Sequence, residues 1–151
     1  MIYDDLTSAE IEELLATECY GHLGFTDEKD RICILPITYA YKDNYIYGIS
    51  EMGGKIRSLR KHPQACLQVE RLNPPSGWES VQVWGVFEEM HGKDLSNINT
   101  LIANFWDRFD EHETIFSPLR DIAVTDELPN VLFRISVDET AGKRGGHKPL
   151  G

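Results

Sequence analysis

Between Tyr20 and Ile49 the chain runs through three segments dense in aromatic and β-branched residues, 20–25, 32–41 and 45–49, with only "TDEKD" and "KDN" as turn-forming stretches between them. Connections that short cannot carry a strand across a sheet to a parallel neighbour, which takes a dozen residues or more. Consecutive segments must therefore pair antiparallel, as a meander. "ACLQVE" (65–70), "ESVQVWGVFEEM" (79–90) and "NVLFRISV" (130–137) read as further strands, the long one with Val81, Val83 and Gly85 on one face. The expected fold class is mainly β, α+β in composition: an antiparallel barrel with a few flanking helices.

Three helices are expected around it. Thr7-Ser-Ala-Glu10 has the spacing of a capping box, and Ile11, Leu14 and Leu15 follow at helical period, which predicts a helix over 8–18. A short basic helix follows Gly53-Gly54 and stops near His62-Pro63, because a residue before proline avoids the helical region. Residues 94–109, with Leu95, Ile98, Leu101, Ile102, Phe105 and Phe109, form the third. The end, "DETAGKRGGHKPLG", is polar and glycine-rich and reads as a tail. With no repeat and no linker, residues 1–151 make a single domain.

Charge and composition exclude several classes. Hydrophobic and charged contents of 41% and 26% are ordinary for a globular chain. No apolar run approaches the roughly 18 residues of a membrane span, and the start, "MIYDDLTSAE", is acidic where a secretion signal is basic and then apolar. A cytoplasmic location with no membrane partner is expected. A formal charge of −10 repels nucleic acid at long range, so none is expected as a partner. Cys19, Cys33 and Cys66, odd in number and set among strand residues, read as free thiols. The five histidines lack metal-ligand spacing, so no metal is expected; "WDRFDEHE" around His112 reads as a solvated acidic stretch, and His22 as a barrel or interface residue. No catalytic residue can be assigned.

So acidic a chain nevertheless gathers Lys55, Arg57, Arg60 and Lys61 on one short helix. A strand, a glycine pair and a helix opening with lysine is a recipe for holding phosphate: backbone N–H groups and the positive end of the helix dipole face the anion, Ser50 can donate a hydroxyl, and Lys55 adds full charge. The alternative is a wet basic face over inward-pointing Ile56 and Leu59. The nucleoside triphosphatase pattern fails, with Ile49 where it needs glycine and Ile56 where it needs Ser or Thr.

The run "ILPITYAY", the hairpin, "YGISEMGGKIRSLRKHPQACLQVE" and "WESVQVWGVFEEM" resemble the pyridoxamine 5′-phosphate oxidase-like family of split β-barrel proteins that bind FMN. The resemblance covers residues 8–90 and extends to the later helix and strand. It implies a homodimer with flavin at the subunit interface, and the apolar strand 79–87 suits a two-fold contact. Carried over by position, Pro36, Ile37 and Thr38 would run along the isoalloxazine edge with mostly backbone groups. Ile49 and Ser50 would lie near the ring and ribityl chain, Gly54 and Lys55 at the phosphate, and Ser80 would reach the flavin from the partner subunit or a neighbouring strand. Trp78 is a candidate to pack on a flavin face.

The chain departs from the oxidases proper. They place arginine near Pro36 and at Gly54, and glutamine near Ser80, and they carry a C-terminal tryptophan that "FRISVDETAGKRGG" lacks. Oxidation of a B6 vitamer is therefore not expected, and the match is closer to small flavoproteins related to nitroimidazole-resistance reductases. The function expected is an FMN-dependent oxidoreductase passing electrons from a nicotinamide donor to a small-molecule substrate. The alternative is a non-enzymatic flavin or haem carrier or sensor on the same fold, with tail residue His147 as a candidate haem ligand.

Overall fold

The capping box forms as its spacing requires: Thr7 Oγ1 accepts from the Glu10 N–H at 3.2 Å, and Glu10 Oε1 accepts from the Thr7 N–H at 3.0 Å. In this computed structural model, which describes residues 2–73, 77–91 and 130–146, the box opens α1, Ser8–Thr17, whose Ile11, Leu14 and Leu15 are buried. Before it lies a short strand, β1 (Ile2–Asp5), and after it come β2 (Tyr20–Thr26), β3 (Ile32–Thr38), β4 (Ala40–Lys42) and β5 (Tyr45–Glu51). The turn after β2 is closed by Asp27, whose Oδ1 accepts from the N–H groups of Lys29 and Arg31 at 2.8 and 2.9 Å. Asp43 and Asn44 both take positive φ, 50° and 64°, the conformation a two-residue hairpin demands.

The run expected as one strand over 32–41 is two. Tyr39 interrupts it, fully buried, with its O–H donating to the Leu15 carbonyl at 2.9 Å and its N–H to the Cys19 carbonyl at 2.9 Å. Those bonds tie the bend to the end of α1. Helix α2 (Gly54–Lys61) buries Ile56 and Leu59, as its pattern predicts, and is followed by β6 (Gln64–Asn73), β7 (Gly77–Glu89) and β8 (Asn130–Ser136). The helix expected over 94–109 lies outside the described residues.

The glycine-rich end is the largest departure from expectation, because its first part is a strand. β9 (Glu139–Gly146) pairs antiparallel with β7 and with β1. Its glycines are there for close approach rather than looseness: a Cβ on Gly145 would lie 2.5 Å from the Trp78 ring.

The strand order is β3-β2-β6-β7-β8-β5-β4, with β9 and β1 added beside β7. All the pairs are antiparallel, and among the described residues the sheet does not close between its end strands β3 and β4. β7 serves both halves, pairing with β9 through Trp84 and with β8 from Phe87. The partner changes at Gly85, where the Ser136 carbonyl comes so close that a Cβ would stand 1.5 Å from its oxygen. Leu23, Leu67, Val69, Val81, Val83, Ile46 and Ile135 fill the interior with Leu14 and Leu59 from the helices. Each such side chain contributes about 1.5–3 kcal/mol when fully buried.

Gly85→Ala tests this bend. Backbone atoms, not a flexible side chain, would have to yield, so a loss of about 3 kcal/mol is expected, a fall in melting temperature of roughly 6–12 °C. Gly24→Ala, whose Cβ would meet nothing closer than 3.5 Å, should change stability by less than about 0.5 kcal/mol. Equal melting temperatures for the two variants would contradict the assignment.

Candidate functional site

The extended Gly53, at φ −173°, ends the β5 connection and serves as N-cap of α2 without any side-chain cap bond. The first turn of the helix holds no acidic residue. Its leading N–H groups therefore lack the side-chain acceptor that Thr7 supplies by its reciprocal bonds with Glu10. Lys55, in that first turn, is half-buried, and among the described residues no hydrogen-bond or ion-pair partner is found for it. With Gly54 and Ser58 it lines a pocket of about 240 Å³ whose other wall is the β2–β3 hairpin, including Phe25, Asp27 and Cys33.

The neighbouring charges are already matched. Arg31 Nε meets Asp27 Oδ2 at 2.9 Å, Arg57 stands 3.8 Å from Glu28, and Arg60 Nε contacts Glu89 at 2.5 Å. Asp27 accepts from the Arg31 backbone and side chain and the Lys29 backbone, and these bonds hold its carboxyl down to about 2. It stays ionised and committed to the hairpin. Lys55 differs: desolvation without a compensating anion pushes its ammonium below the ordinary lysine value. An uncapped helix start and a half-buried cation, unmatched among the described residues, converge on one pocket, and together they fit an anionic group such as a phosphate.

Cys33 lines the same pocket but is no nucleophile, since burial and the neighbouring Asp27 carboxylate raise its thiol. All three cysteines are free, in line with the sequence. Among the described residues no cluster of His, Cys, Asp and Glu could hold a metal.

The other predicted residues lie on different surfaces. β3 ends the strand order, so one edge of its backbone has no strand partner among the described residues. Pro36 is exposed on it, Thr38 is half-buried, and Ile37 points into the core. Ile49 packs with Met90 and Leu132 in a separate small cluster, while Ser50, half-buried at the next position, already has a partner. Ser80 lies on the outward face of β7, where its Oγ accepts from Gln68 Nε2 at 3.0 Å. Trp78 lies against Tyr3 and Gly145, which occupies part of its ring with β1 and β9. The structure thus brings Gly54 and Lys55 together and leaves the rest to the open edge and the outer face. Sequence reading missed Gln68 and the pocket-lining role of Cys33; the strand period of "ACLQVE", with Gln68 on its polar phase, was the available signal for the first.

Comparison with known proteins agrees with this fold. The family described as pyridoxamine 5′-phosphate oxidase matches residues 7–144. An FAD-binding protein from Mesorhizobium loti is 27% identical, with a TM-score of 0.75 over 97% of this chain and 100% of that one. A candidate 5-nitroimidazole antibiotic resistance protein from Bacteroides thetaiotaomicron shares the fold at 18% identity and TM-score 0.70, covering 95% of this chain and 87% of its own. So does the haem storage protein HutZ from Vibrio cholerae, at 15% identity and TM-score 0.64, covering 87% and 90%. The fold is the split barrel.

The state of Lys55 gives a stability test. Its ammonium is penalised while charged in the folded protein, and the penalty is released as pH rises through its lowered titration toward the ordinary 10.5, since the unfolded chain holds more protons in that window. Without ligand, Lys55→Met should therefore melt at or above the wild-type temperature at pH 7. Between neutral and alkaline pH, wild type should gain stability relative to the variant. A variant that melts well below wild type at pH 7 would mean that Lys55 is satisfied within the fold.

Proposed function

The chain belongs to the pyridoxamine 5′-phosphate oxidase family, and from that membership we propose that it is a cytoplasmic FMN-binding oxidoreductase that works as a homodimer. The observation that carries the reading is Lys55: a half-buried cation, unmatched among the described residues, at an uncapped helix start in a chain of net charge −10. A terminal phosphate brings nearly two negative charges. Arg31, Arg57 and Arg60 are engaged with acids, which leaves Lys55 at the helix start, with Lys29 across the pocket, to meet a phosphate.

In this reading Gly54 and Lys55 hold the phosphate, the ribityl chain passes Ser50 and Ile49, and the open backbone edge of β3 at Pro36, Ile37 and Thr38 serves the pyrimidine side of the ring. Bound flavin would supply the hydride and electron transfer, between a nicotinamide donor and a small substrate. The residues named have only to bind, orient and exclude water. An exposed apolar face supports the homodimer in this reading. The outward face of β3, β2, β6 and β7 exposes Ile32 (83%), Ile34 (67%), Trp84 (37%) and Val86 (44%), an apolar surface that a second copy would cover. Ser80 stands on that face and would approach the partner's flavin.

The purified chain should show the two-banded absorption of oxidised flavin and take up FMN on dialysis. Light scattering should give twice the 17.2 kDa chain mass. Rapid bleaching by NADH or NADPH is expected of the oxidoreductase, whereas flavin that neither donor reduces would favour the carrier reading. A colourless protein that takes up no FMN, or a monomer that retains it, would overturn the proposal, and a sharp Soret band would point to haem. Ile34→Asp should yield monomer with weakened flavin binding.

A further inference from the structure

Within the apolar outer face runs one polar chain across three strands. Register places His22 of β2 directly between Pro36 of β3 and Gln68 of β6. His22 Nδ1 lies 3.4 Å from Gln68 Oε1, and Gln68 Nε2 donates to Ser80 Oγ at 3.0 Å on β7. Because the Gln68 amide nitrogen faces Ser80, its oxygen faces the imidazole, and an amide oxygen can only accept. Nδ1 must carry the proton in the neutral ring. That leaves Nε2 as the free atom, with no partner among the described residues.

The ring is also held in place. Tyr20 packs edge-on against it at 5.5 Å. On its other side Gly24 presents no side chain, and nothing requires glycine there, since an added Cβ would meet only ordinary contacts from 3.5 Å outward. The imidazole therefore has no side chain beside it at position 24, whose register partners are Ile34 and Cys66.

Resting on the flavin reading above, we propose that His22 is a ligand-contacting residue whose Nε2 hydrogen-bonds the isoalloxazine ring lying along Pro36, and that Gln68 and Ser80 are positioning residues that fix its tautomer. The pyrimidine edge of such a ring carries an imide N–H between its carbonyl oxygens, and the lone pair that the Nδ1–H tautomer leaves on Nε2 accepts from it. The titratable or charged groups sharing this face are Tyr20 on β2, Cys66 and Glu70 on β6, Glu139 and Lys143 of β9, and Asp5 of β1 paired with Lys143. None replaces Gln68 at Nδ1.

The test uses riboflavin, which lacks the phosphate and so reports on the ring alone. In full-length protein with 15N-labelled histidine, NMR should show the Nδ1–H tautomer at His22, and Gln68→Leu should abolish that preference. Riboflavin should move the His22 Nε2 resonance, and His22→Ala should weaken riboflavin roughly three- to tenfold, the loss expected for one hydrogen bond. An Nε2–H tautomer in wild type, or flavin binding that leaves the His22 resonances unchanged, would overturn this assignment while leaving the flavin reading intact. If neither FMN nor riboflavin binds, both fall.

Discussion

Everything in this barrel hangs on one strand that belongs to both of its halves. β7 pairs with β6 and β9 along most of its length and then with β8, and the change of partner happens at Gly85, where the Ser136 carbonyl occupies the place of a side chain. Val86 N–H donating to Ser136 Oγ and Asp138 N–H donating to the Trp84 carbonyl, both at 3.0 Å, fasten the crossing. Once the sheet turns there, β3 and β4 become its two ends without pairing to each other. The open edge of β3 and the α2 start at the end of β5 follow from that geometry.

The second constraint is electrostatic. Among the described residues this carboxylate-rich chain neutralises most of its cations internally: Arg71 spans Glu13 and Glu18, Arg144 meets Glu10, and Lys143 meets Asp5. Such exposed pairs contribute little to stability. Their effect on function is larger, because they leave few uncommitted charges. Lys55 is one, and it stands where its own desolvation disfavours the charged form until an anion arrives.

Local chemistry was legible in the sequence where it acts over a few residues. The Thr7–Glu10 box, the "KDN" turn, the inward Ile56 and Leu59 and the start of the basic helix at Gly54 all appear as read. The break at Tyr39 was not, because it depends on a carbonyl at Leu15, distant in sequence, which gives a buried tyrosine O–H its acceptor. Nor was β9, since glycines at 142, 145 and 146 suggest a loose tail unless one knows that Trp78 and Leu6 will lie against the backbone. At the site the same divide holds. Gly54 and Lys55 could be found from their spacing, but the link from His22 through Gln68 to Ser80 exists only through the register of β2, β6 and β7.

The central claim is that Lys55 and its helix start recognise a phosphate, and the most direct measurement compares FMN with riboflavin on wild type and Lys55→Ala. A charge-assisted contact to phosphate contributes on the order of 1.5–3 kcal/mol, roughly ten- to a hundredfold in affinity. The account predicts a loss of that size for FMN, almost none for riboflavin, and a near-silent Lys61→Ala at the far end of the same helix. Equal losses for FMN and riboflavin in Lys55→Ala, or wild-type FMN affinity in that variant, would contradict it.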